Sequence, residues 1–211
     1  MLCPPEHCPQ CVGGSGDRRI LHTIPSPPVG GRGAEEKQRD DMKRLEWFER
    51  KFTFGLPAGM LPFYLERLQG TITRIESKVK GVSEEVLSHK LDDKWSVKQN
   101  IGHLAEVDEI ANKRIGEMIN GISPMSPAVF EPRGDYNQQS VEEVIGYFRK
   151  TRYANVKQYS ELSMDELERS SLHPRLKVMM TPIDLAWFDA EHDDHHLVRM
   201  EEILSVLLKK K

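Results

Sequence analysis

Cysteine is almost missing from this 211-residue chain: its three copies, Cys3, Cys8 and Cys11, all fall at the amino-terminal end. From Val12 onward no disulfide can form, so the body of the protein must fold without one, which suits a reducing, cytoplasmic setting. Long apolar runs are missing too. No stretch reaches the roughly 18–20 residues a membrane helix needs, and no charged segment with a following apolar core marks a secretory signal. Membrane insertion and secretion are therefore not expected. Neither sign of charge prevails: 30 Lys and Arg stand against 33 Asp and Glu, a net charge of −3. No basic stripe stands out, so composition makes no case for a nucleic-acid partner. The closing Lys209-Lys210-Lys211 is a solubilising end that complements a helix dipole. Alternating strand patterns and internal repeats are lacking as well, which leaves an all-α chain.

What is present divides in two. Residues 1–41 hold Pro4, Pro5, Pro9, Pro25, Pro27 and Pro28 with six glycines. Such a stretch cannot bury enough apolar surface to offset its ordering entropy and reads as a disordered extension. The alternative is a start assigned too early, with Met42 as a natural first residue. Cys8-Pro9-Gln10-Cys11, with Cys3 and His7, has zinc-ligand types, but no second pair follows at finger-like spacing, so a structural zinc is not expected there. Residues 42–211 read as one helical domain.

In that domain, Leu61, Leu65, Leu68, Ile72, Ile75 and Val79 recur at spacings of three and four, the mark of an amphipathic helix, with Gly81 as its stop. Ser83 caps a short helix. Ser96 and Gln99 form a capping box for a second long helix, whose stripe is Val97, Ile101, Leu104, Ala111, Ile115 and Met118. A loop rich in Pro, Gly and Ser covers 122–139. Ser140 and Glu143 box a third helix with Val141, Val144, Ile145, Phe148 and Tyr159 inward. Ser163 caps a short segment, 170–180 reads as loop, and Thr181-Pro182 opens a last helix that runs to about Leu208. Four long helices with short extra ones predict a bundle.

The candidate chemistry lies on two of these helices. His192 and His196, four apart, stack on one helical face. They interrupt an apolar stripe of Leu185, Phe188, Met200, Ile203 and Leu207, where an unpartnered polar group is costly. His103 stands beside the stripe of the second helix. Three imidazoles from two helices make a common transition-metal site that leaves a position for water or substrate, and zinc, nickel, iron and manganese all suit them. Each histidine taken singly also fits a satisfied core residue, and nothing in the spacing joins the three. Asp108, on the same stripe as Leu104, either orients a ligand imidazole or pairs with an Arg or Lys of another helix; the pairing is the simpler expectation. His195, turned about 100° from the pair, belongs at the rim. Glu106, Glu191, Asp193 and Asp194 read as solvated positions, and Trp95 and Trp187 as core anchors.

At these residues the sequence resembles a known family. Lys94-Trp95-Ser96-Val97-Lys98-Gln99-Asn100-Ile101-Gly102-His103-Leu104 is similar to the segment opening the second bundle helix of the DinB/YfiT-like superfamily. His173-Pro174, Thr181-Pro182 and Ala190-Glu191-His192-Asp193-Asp194-His195-His196-Leu197 resemble its closing helix. The likeness spans about 45–208. It implies a four-helix bundle with a divalent metal on His103, His192 and His196, and often a homodimer. Relatives include enzymes that transfer or isomerise through a low-molecular-weight thiol and others labelled metal-dependent hydrolases. The implied function is thus a metal-dependent thiol transferase or hydrolase acting on a small molecule; the other class is a non-catalytic metal or small-ligand binding bundle. Arg199 stands where many relatives carry Gln, so their substrate contacts do not transfer. The bundle holds no cysteine nucleophile, so a nucleophile would come from water or a cofactor thiol.

Overall fold

Both capping boxes read from the sequence close in the computed structural model, which describes residues 44–128 and 131–209. The expectations placed on residues 1–41, Met42 and the last two lysines lie outside the described residues. Helix α1 runs Leu61–Val79, α2 Glu84–Ser88, α3 Val97–Ile119, α4 Val141–Ser160, α5 Met164–Leu167 and α6 Pro182–Lys209. The side chain of Ser96 accepts from the Gln99 amide while Gln99 caps the Ser96 amide, and Ser140 with Glu143 does the same for α4. At the start of α6, Thr181 and Asp184 exchange equivalent bonds. Single 3-10 turns stand at Trp47–Glu49, Ala58–Met60 and Tyr136–Gln138. The last of these sits in the predicted loop, where the Tyr136 ring lies flat over Gly102: a Cβ on Gly102 would overlap it.

Segment 170–180, expected as plain loop, contains a two-residue antiparallel ladder. Ser171–Leu172 (β1) pairs with Met179–Met180 (β2), Ser171 opposite Met180. Strands this short leave no alternating pattern to read. No helix among the described residues is long and apolar enough to cross a membrane.

The four long helices form a ring in the order α1, α4, α3, α6, each packed on its two neighbours. Helices α1 and α3 therefore sit diagonally although they follow one another in the chain, and the bundle is not a simple up-down repeat. Its interior has two apolar halves. One gathers Ile75, Ile101, Leu104, Phe148, Met200 and Ile203; the other gathers Leu61, Leu68, Ile115, Tyr159, Ile183 and Leu185.

Between them lies a polar layer centred on Arg152 of α4, 1% exposed. Its Nε donates to Asp108 of α3 at 3.0 Å. Its Nη1 donates to Leu68 O of α1 at 2.9 Å and to Asp193 Oδ2 of α6 at 2.5 Å, and Nη2 donates to Asp193 Oδ1 at 2.9 Å. Thr71 Oγ1 donates to the same Asp193 at 2.7 Å. Asp108 thus takes the pairing of its two expected roles. Asp193, read as solvated, is 1% exposed; the cation that draws it inward belongs to a different helix. Glu106 is corrected likewise: it is 2% exposed and accepts from the Arg133 amide at 2.8 Å and the Tyr136 hydroxyl at 2.5 Å. Trp187 is only half-buried, against Phe52 and Phe54.

Candidate metal centre

Beside the polar layer, α3 and α6 bring His103, His192 and His196 together. One ring nitrogen from each lies within 4.8 Å of the others. His196 Nε2 and His192 Nε2 are 3.2 Å apart, close to the separation of about 3.3–3.4 Å that tetrahedral zinc imposes on nitrogens bound at about 2.0–2.1 Å. His103 and His196 are buried and His192 is half-buried. The i, i+4 spacing on α6 stacks two of the rings, and the contact between α3 and α6 supplies the third.

Asn100, unmarked in the sequence reading, orients one of the three rings. Its side-chain nitrogen donates to Ser96 O at 2.7 Å and to Trp95 O at 3.4 Å, so its oxygen must face the other way. That oxygen meets His196 Nδ1 at 2.7 Å. The proton of His196 is thereby held on Nδ1 and the Nε2 lone pair is turned to the cluster, the usual outer support of a metal-bound imidazole. The signal was present: Asn100 lies one turn before His103 on a helix face already marked as inward. Trp95, placed as a core anchor, is half-buried and covers the site, its ring 4.7 Å from His103 and stacked at 6.0 Å on His196.

Protonation favours metal binding. Burial pushes His103 down to about 4, with His195 adding repulsion. Burial, then His103 and His195, holds His192 well below the ordinary imidazole range. Both rings are neutral at physiological pH with lone pairs available. The buried Nδ1 atoms of His103 and His192 have no hydrogen-bond partner among the described residues. The Nε2 atoms of His192 and His196 face each other and one nitrogen of His103 lies within 4.8 Å of theirs, a donor set that fits a divalent transition metal. His195 lies at the rim, 5.7 Å from the Trp47 ring. Glu191 and Asp194 are half-buried in ion pairs with Arg50, Arg67 and Arg74.

The histidine face opens on a cavity of about 340 Å³. Its walls come from α3 (His103, Val107, Arg114), from α6 (Phe188, Asp189, His192), from the β1–β2 turn (His173, Pro174, Arg175), and from Trp47, Pro127 and Ala128. Trp47 packs on His192 at 4.9 Å and Phe188 at 5.0 Å. Its segment is tied to α6 by Arg50, which pairs with the Glu191 side chain and donates to Glu191 O at 3.2 Å. His173 stands here rather than at the cluster, its Nδ1 accepting from the amides of Arg175 and Leu176 at 3.3 and 3.1 Å.

The model of the DinB superfamily matches residues 67–199. This chain belongs to the DinB superfamily. Among solved structures it resembles YfiT from Bacillus subtilis, described as a probable metal-dependent hydrolase with an unusual four-helix bundle topology: TM-score 0.65, 14% identity, 75% of this chain and 93% of that one. It also resembles a mycothiol-dependent maleylpyruvate isomerase, with TM-score 0.55 and 14% identity over 70% of this chain and 62% of the isomerase. At such identity the likeness is one of fold. No curated protein matches the sequence. The ring order found here, with α1 and α3 on a diagonal, gives this DinB-superfamily bundle its four-helix architecture.

Proposed function

We propose that the protein is a metal-dependent enzyme that acts on a small molecule in the cavity, with His103, His192 and His196 as metal ligands. The observation that carries this reading is the opening of the three-imidazole cluster onto the cavity: two of the ligand residues are themselves cavity wall. A binding bundle without catalysis would have closed the site with a fourth protein ligand. Among the described residues, His103, His192 and His196 form the only such group.

When bound, a divalent metal there would lower the pKa of a thiol or water and polarise an electrophile. The chain's own contribution is positional. Asn100 fixes the tautomer and tilt of His196. Trp95 and Trp47 shield the imidazoles from bulk water. Phe188, Val107 and Trp47 offer an apolar bed. No cysteine occurs after Cys11, so the attacking sulfur of a thiol-transfer reaction comes from a small cofactor thiol. Thiol transfer is the preferred chemistry because one protein of similar fold is a mycothiol-dependent isomerase.

The test is elemental analysis of the full chain, purified without a histidine tag, against His192→Ala. About one metal per chain, lost in the variant, supports the centre. Loaded protein is then assayed with an electrophile with and without a low-molecular-weight thiol; turnover only with thiol supports transfer, and turnover in water alone makes it a hydrolase. Failure to take up zinc, nickel, iron or manganese sinks the proposal.

A further inference from the structure

The cavity wall holds a cation that the protein leaves partly unanswered. Arg114 lies on α3, three turns beyond His103, and is 5% exposed. Its Nε donates to Ser126 O at 3.0 Å, but its buried Nη2 has no hydrogen-bond partner among the described residues. The nearby carboxylates are engaged elsewhere. Glu117 accepts from the Ser126 amide at 2.6 Å and its hydroxyl at 2.5 Å. Asp189 accepts from the Tyr159 hydroxyl at 3.4 Å. A buried guanidinium N–H left unpaired carries the full desolvation penalty. Arg114 lines the cavity, so an anion bound there would offset the charge of this buried guanidinium.

We propose that Arg114 anchors a carboxylate, so that the molecule taken by the cavity is a small organic acid with an apolar body lying against Trp47, Val107 and Phe188. The inference rests on the cavity being the substrate site of the proposed enzyme, although not on the metal itself. A guanidinium presents planar, charged N–H donors that match a carboxylate. Arg175 lines the same cavity and adds positive potential. Burial, then the neighbouring Asp108, pushes the Asp189 carboxyl up to about 8, which weakens its opposition to the acid. A phosphate would ask for several more donors than these mainly apolar walls provide.

The experiment titrates the full chain with trans-cinnamate and, as its uncharged counterpart, trans-cinnamamide, in metal-free and metal-loaded protein. Metal-free wild type should bind the acid at least about tenfold more tightly than the amide. Arg114→Gln should abolish that preference, and Arg114→Lys should keep part of it. Equal affinities, no detectable binding of the acid, or a preference that survives Arg114→Gln would overturn the proposal. A preference seen only in metal-loaded protein also overturns it, placing the carboxylate on the metal and leaving the metal centre standing. A preference in protein that takes up no metal supports Arg114 while sinking the metal centre. If Arg114→Gln fails to fold, Arg114→Lys decides the matter: a preference unchanged in that variant overturns the proposal.

Discussion

Asn100 and His173 show what single side chains contribute around the cluster. Asn100 is held by two backbone carbonyls and in turn holds His196. Asn100→Ala should leave the helices unchanged yet weaken metal binding by about 10–100-fold, the typical cost of losing an outer partner. Competition with a chelator measures this, and unchanged affinity would remove Asn100 from the site. His173 bears on stability. Its Nδ1 accepts two amides, and burial, with Arg114 and Arg175, lowers its pKa from 6.5 to about 4. The folded protein therefore takes up this proton less readily than the unfolded chain. The stability His173 contributes is complete above 6.5 and is lost as pH falls through about 4. Urea unfolding of wild type and His173→Gln should show their stability difference narrowing across that window; parallel pH profiles would contradict it.

Among the helices, the capping boxes and apolar stripes were legible because they depend on residues three or four apart in one segment. Ser96 with Gln99 and Ser140 with Glu143 are local facts, and His192 with His196 is another. The errors fall where the partner comes from another part of the chain. Asp193 looks like a solvated acid on α6 until Arg152 of α4 is placed beside it, and Glu106 looks the same until Tyr136 arrives from a loop. Asp108, paired with that arginine, could be read only as one of two alternatives. Removing the shared cation tests the layer. Arg152→Met would strand two carboxylates in the core and should cost about 3–5 kcal/mol. The deficit should shrink on acidification, because protonated carboxyls are cheaper to bury than carboxylates. Equilibrium unfolding at neutral and acid pH measures both effects, and a variant as stable as wild type would show that the layer does not support the fold.

Across the whole molecule, the bundle and its family were readable from two motifs in order, one on α3 and one on α6. The cavity was not. It is assembled from Trp47, the β1–β2 turn and both helices, and no local pattern announces that these meet. If the three histidines bind metal in the folded state alone, binding and folding are linked. At a free metal concentration about 100 times Kd, stability should rise by about 2.7 kcal/mol. A melting curve of loaded against chelated protein reads this directly. His192→Ala should show no such rise, and an equal rise in both proteins would place the metal elsewhere.

The Arg152 layer also governs how the helices can slide. One guanidinium takes acceptors from α1, α3 and α6 while anchored on α4. A shift of any helix by one residue along its axis would break a charged bond inside the core. The bundle is thus pinned like a lock whose tumblers all meet at one pin. His103 and His192 stand within one or two turns of that pin, on α3 and α6. If a metal binds at the proposed centre, it would have to accept their separation instead of drawing the rings to itself, and discrimination among metals would fall to the rigidity of the scaffold more than to the softness of the nitrogens.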